Sequence, residues 1–124
     1  MDGAEFLPEL RREGGERGMI YAIAAETEQP RRIELGMSSI PVFAELPDGR
    51  EQAVKVLEEA AEVYGAWQAW NDHPSDAARL RVIDEVCDMF QAGANLLSAM
   101  GVESIEADMV RMRKRNEERG REYA

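Results

Sequence analysis

Histidine and cysteine are almost absent from these 124 residues, which hold one of each, His73 and Cys87. A single cysteine excludes an internal disulfide and fits a reducing compartment, so a cytoplasmic protein is expected. A single histidine excludes sites built on imidazole pairs, including the Glu-x-x-His pairs of ferritin-like di-iron bundles. His73, beside Pro74 in a loop, reads as an ordinary surface residue. Cys87 has no histidine near it in sequence and reads as core rather than nucleophile. Long apolar runs are missing as well. Nothing approaches the roughly 20 residues of a bilayer span, and Met1-Asp2-Gly3-Ala4-Glu5 lacks a signal peptide's basic start, so no membrane partner is expected. Gly14-Gly15 is followed by no Gly-Lys-Ser/Thr, which removes a phosphate loop. Positive charge is scarce: 15 Lys and Arg stand against 25 Asp and Glu, a net charge of −10. A general binder of nucleic-acid polymers needs the opposite balance.

What remains is a globular composition, 44% hydrophobic and 32% charged, on a chain long enough for one modest core. The few cations are concentrated. Arg111, Arg113, Lys114, Arg115, Arg119 and Arg121 face only Glu117 and Glu118 within residues 111–121. Such a patch complements the C-terminal dipole of a helix. In an acidic chain it also suits a small anionic ligand better than a polymer.

Pro47-Asp48-Gly49 is a strong turn signal and divides the chain. Residues 1–50 read as a partly irregular arm: a short helix over 5–13 ending at Gly14-Gly15, an apolar run Met19–Ala25 of undecided type, then interruptions at Gln29-Pro30 and Ile40-Pro41. Residues 51–124 read as one helical unit. From about Arg50 to Trp70, Val56, Ala60, Val63, Trp67 and Trp70 recur at spacings of 3 and 4, as in an amphipathic helix. Asn71–Asp76 breaks it, and Ser75 or Asp76 can cap a second helix running from about Ala77 to Met100 and ending at Gly101. That helix is apolar almost all round beyond Val86, a profile that demands enclosure on several sides. Three helices cannot supply it, so a second subunit is expected. A last helix covers about Glu103 to Arg119. The expected fold is therefore all-α, an antiparallel helical bundle completed by homo-oligomerisation.

Two acidic pairs stand out on the first two of these helices: Glu59-x-x-Glu62 and Glu85-x-x-Asp88. Each i, i+3 pair lies on one side of its helix, and antiparallel packing converges four carboxylates on one small volume. Four like charges repel unless a cation neutralises them. Oxygen ligands without imidazole or thiolate select Mg²⁺ or Mn²⁺ over zinc. A lone ExxE is usually a solvated face, but Glu85 and Asp88 sit in the most apolar helix of the chain, where an unpaired charge is costly. Trp67 and Trp70 read as core aromatics, with stacking on a base as the functional alternative for Trp67.

The segments Lys55-Val56-Leu57-Glu58-Glu59-Ala60-Ala61-Glu62, Asp84-Glu85-Val86-Cys87-Asp88, Gly101-Val102 and Lys114-Arg115-Asn116-Glu117-Glu118-Arg119-Gly120 resemble, in that order, the MazG-type all-α nucleotide pyrophosphohydrolases. That superfamily includes dimeric dUTPases, dCTPases and phosphoribosyl-ATP pyrophosphohydrolase. The resemblance covers roughly residues 51–120; nothing in residues 1–50 matches. It implies a helical homodimer or homotetramer that hydrolyses a nucleoside triphosphate to its monophosphate and pyrophosphate. It implies Glu59, Glu62, Glu85 and Asp88 as Mg²⁺ ligands and Glu58 as the residue orienting the attacking water. Lys55, Lys114, Asn116 and Arg119 become the candidates for phosphate contacts, since charged donors bind phosphate oxygens with short, strong hydrogen bonds. Two alternatives stand beside it: hydrolysis of another pyrophosphate-containing nucleotide such as phosphoribosyl-ATP, and a non-catalytic helical dimer with a vestigial metal site.

Overall fold

A computed structural model describes residues 29–124. The expected helix at 5–13 and the apolar run Met19–Ala25 lie outside these residues. Among the described residues every regular element is a helix: α1 (Gly49–Asp72), α2 (Asp76–Ala99) and α3 (Glu106–Glu118). Residues 30–48 carry neither helix nor strand. No described helix is long and apolar enough to cross a membrane.

The helix ends are set by local chemistry. Asp48 accepts the Glu51 backbone N–H through Oδ1 at 3.1 Å and starts α1 at the expected turn. Ser75 does the same for α2, its Oγ accepting the Ala78 N–H at 3.0 Å. At the other end of α2, Gly101 adopts φ 79. The Val102 N–H then reaches the Leu97 carbonyl at 2.9 Å and the Gly101 N–H reaches Ser98 at 2.9 Å, closing a Schellman motif. Gly120, at φ 86, repeats it after α3, with the Arg121 N–H on the Asn116 carbonyl at 2.9 Å. α3 begins later than its periodicity suggests. Ser104 Oγ accepts the Glu106 N–H at 3.2 Å and holds the preceding residues outside the helix.

The chain divides into two compact units, one containing Leu57–Phe90 and the other Pro30–Val56 with Gln91–Ala124. The first is a hairpin of α1 and α2 joined through His73–Ser75. Ala66 and Glu59 are buried in it, with Val63, Trp70, Val82, Val86 and Met89 half-buried. In the second unit Gln52, Ala92 and Asn95 are buried. There a strap of irregular chain is tied to α2: the Phe43 N–H donates to Asn95 Oδ1 at 3.2 Å, and Gln91 Nε2 donates to the Pro41 carbonyl at 2.8 Å and to Asn95 Oδ1 at 3.1 Å.

Among the described residues Ala66 and Ala92 are the only fully buried apolar side chains. Two expectations are corrected here. Cys87, read as core, is exposed. Trp67, also read as core, is 43% exposed and stacks on Tyr64 with ring centroids 6.1 Å apart. Cys87 lies on the side of α2 turned away from its inner residues and Trp67 at the edge of the inner residues of α1, positions that amphipathic spacing alone does not distinguish from the inner side.

Candidate metal centre

Capped starts and an antiparallel course fix which turns of α1 and α2 lie side by side. With only three residues between the helices, the turn holding Glu59 comes level with the one holding Glu85 and Asp88. Carboxylate oxygens of these three residues all lie within 4.8 Å of one another, a group that could hold a metal ion. Burial is graded across it: Glu59 is buried at 7% exposure, Glu85 is half-buried and Asp88 is exposed. The site thus has a closed inner wall and an open outer edge.

Glu85 supplies the sharpest observation. Its Oε1 is shielded from solvent and has no hydrogen-bond partner among the described residues. A buried polar atom left unsatisfied costs about 1–3 kcal/mol, and more when it carries charge. Most buried polar groups in folded proteins avoid that cost by pairing. A shielded, unpartnered carboxylate oxygen on a member of this cluster fits a site that a cation could complete.

Of the residues singled out in the sequence, Glu59, Glu85 and Asp88 come together. Glu62 does not join them. It lies one turn further along α1 and is exposed. At about 100° per residue it points roughly 60° away from Glu59 around the helix. Glu58 and Lys55 are exposed on α1, and Trp67 lies beyond them toward its C-terminus. Lys114, Asn116 and Arg119 belong to α3 and its C-cap, in the second unit. The Asn116 amide is committed there: Nδ2 donates to the Tyr123 hydroxyl at 2.9 Å, and Oδ1 accepts from Arg121 Nη1 at 3.0 Å. The Arg113 guanidinium sits 5.0 Å from the Tyr123 ring centroid, a cation–π contact.

Gln91, Asn95 and Tyr123 were not legible as organising residues. Asn95 alone carried a signal, as the one amide within the apolar run Ala92–Leu97.

Comparison of the chain with family models, with curated proteins and with solved structures finds no match.

Proposed function

We propose that the chain is a Mg²⁺- or Mn²⁺-dependent nucleoside triphosphate pyrophosphohydrolase that releases a nucleoside monophosphate and pyrophosphate and works as a homo-oligomer. The observation that carries this reading is the convergence of Glu59, Glu85 and Asp88, together with the solvent-shielded, unpartnered Oε1 of Glu85. All three donors are hard oxygens, which fits Mg²⁺ or Mn²⁺ and not a thiolate- or imidazole-seeking metal. When bound, such a cation neutralises phosphate charge and lowers the pKa of a coordinated water. Glu59 and Glu85 form the shielded wall and Asp88 the open edge, so substrate phosphates approach from the Asp88 side. In this reading Glu62, one helical turn beyond Glu59, completes the set of four. Glu58 orients the attacking water. Lys55, one helical turn before Glu59 on α1, supplies a charged donor to phosphate oxygens.

A specific observation favours the second reading, a non-catalytic helical dimer with a vestigial site: Glu62 is outside the cluster and the Asn116 amide is already engaged. A panel of ribo- and deoxyribonucleoside triphosphates, with phosphoribosyl-ATP added, assayed for pyrophosphate release with Mg²⁺ separates the readings. Release from one or more nucleotides, lost in Asp88→Asn, supports the hydrolase. Cation binding without release from any nucleotide supports the non-catalytic dimer.

A further inference from the structure

Two turns along each helix from the carboxylate cluster stands a second pair of buried polar side chains, and these carry no charge. On α1 the buried positions recur every seven residues, at Gln52, Glu59 and Ala66. On α2, Asn95 is buried to the same degree as Gln52, each 4% exposed. Seven residues are two turns, roughly 10 Å. Gln52 therefore stands to Glu59 on α1 as Asn95 stands to Asp88 on α2. The antiparallel pairing that levels Glu59 with Asp88 also levels Gln52 with Asn95. Both carboxamides belong to the second unit, as do Pro41, Phe43 and Gln91.

The orientation of the Asn95 amide is fixed by its neighbours. A backbone N–H can only donate, so the atom facing the Phe43 nitrogen at 3.2 Å is the oxygen, Oδ1. The same oxygen accepts from Gln91 Nε2 at 3.1 Å. Nδ2 then points elsewhere, and among the described residues nothing accepts its N–H groups. Gln52 is further from satisfied. Its side chain makes no hydrogen bond to any described residue, Asn95 included. Leaving a buried amide unpaired is costly, and most buried polar groups are paired. Two such amides at one level of one helix pair call for a common partner.

The open groups define that partner. Gln52 Nε2 and Asn95 Nδ2 donate, and Gln52 Oε1 accepts. One open carbonyl oxygen is too few for a hard cation. Neutral N–H groups hold a phosphate less strongly than charged donors do. What complements the set is a neutral planar edge with two acceptors and one donor. Uracil, thymine and cytosine each present that combination on their Watson–Crick edge. Guanine presents one acceptor and two donors there, and adenine one of each. We infer that Gln52 and Asn95 form a recognition site for the Watson–Crick edge of a pyrimidine base. Gln91 and the strap are positioning groups: their hydrogen bonds hold Asn95 Oδ1 and so aim Nδ2. This names the base class of the nucleotide in the proposed reading and rests on that reading for the phosphates. The two amides act on the base alone.

The experiment is titration of the full chain, in chelator, with uridine, cytidine, adenosine and guanosine, read by NMR from the side-chain amide signals of Gln52 and Asn95. Nucleosides carry no phosphate, so neither bound cation nor charged donors contribute. The expected result is a saturable shift of both signals with uridine or cytidine, at an affinity at least tenfold above that of either purine nucleoside. Methylation that removes the one donor of the base, in 3-methyluridine or N4,N4-dimethylcytidine, should weaken binding at least tenfold. Gln52→Leu, of similar size, should lose the binding and melt no lower than wild type, since it removes an unpaired buried amide. Asn95→Asp keeps the oxygen that Phe43 and Gln91 bond, removes the Nδ2 donor, and should lose the binding as well. No saturable shift with any nucleoside overturns the inference and leaves water as the partner of the amides. Equal affinity for purines and pyrimidines overturns it too, as does binding untouched in folded Gln52→Leu or Asn95→Asp. If neither variant folds, the methylated nucleosides decide on wild type, and binding equal to that of their parents overturns the inference. Pyrophosphate release without these shifts counts against this site alone, and the shifts without release count against the hydrolase alone.

Discussion

Glu85 concentrates both the cost and the use of the carboxylate cluster in one atom. Its Oε1 is hidden from water and unpartnered, beside Glu59 and Asp88. Without a cation the arrangement works against the fold, and a cation that binds only the folded chain turns it to advantage. Mg²⁺ at 100 times its dissociation constant should stabilise wild type by about 2.7 kcal/mol, seen as a clear rise in melting temperature. Glu85→Gln should lose most of that gain. Since it removes one of three crowded negative charges, it should melt no lower than wild type in chelator. Equal gains in both proteins, or a Glu85→Gln chain that fails to fold, would count against the site. At Arg119 the expected change is different in kind. If Arg119 makes the phosphate contact that the resemblance implies, equally strong in ground and transition states, Arg119→Ala should raise KM several-fold with little change in kcat. The convergence of three of the four carboxylates was legible because i, i+3 spacing on antiparallel helices leaves little freedom. Glu62 was not, because spacing gives the side of a helix but not the side-chain rotamer or the neighbour's exact level.

At the scale of the elements, the helices were readable because several signals agreed at each end. Ser75 or Asp76 was expected at the start of α2 and Gly101 at its end, and Ser75 and Gly101 occupy the capping positions there. Ser75→Ala should lower stability by about 1 kcal/mol through loss of the Ala78 N–H bond, measurable by urea denaturation. The strap over α2 was not readable. Its anchors, Pro41 and Phe43, bond through the carbonyl and the N–H of the backbone, which leave no mark in the side-chain pattern. Asn95→Ala should therefore act locally. It frees the Phe43 N–H and one N–H donor of Gln91, and should cost about 1–3 kcal/mol. Hydrogen exchange should show faster exchange at Phe43 while α3 is unchanged. Protection at Phe43 equal to that of wild type would mean the strap is held by something other than Asn95.

For the whole molecule the governing fact is how little apolar surface one copy hides. Two alanines are its fully buried apolar residues among those described, while Leu57, Tyr64, Leu80 and Phe90 stand open. Periodicity made the helices and their amphipathic character plain. It could not say which part of each apolar arc meets the neighbouring helix and which part stays exposed, because both obey the same 3–4 spacing. That ambiguity is why Trp67 and Cys87 were expected inside. In the proposed reading, part of the acidity behind the net −10, at Glu59, Glu85 and Asp88, would serve to hold a cation. The claim on which the functional reading rests is hydrolysis at the α-phosphate. The most direct measurement is turnover of a nucleoside triphosphate with Mg²⁺ in water enriched in heavy oxygen, followed by mass analysis of the products. The account predicts monophosphate carrying the label, with unlabelled pyrophosphate, and no product from Asp88→Asn. Label in pyrophosphate or orthophosphate, or no turnover of any nucleotide by a cation-loaded protein, would contradict it.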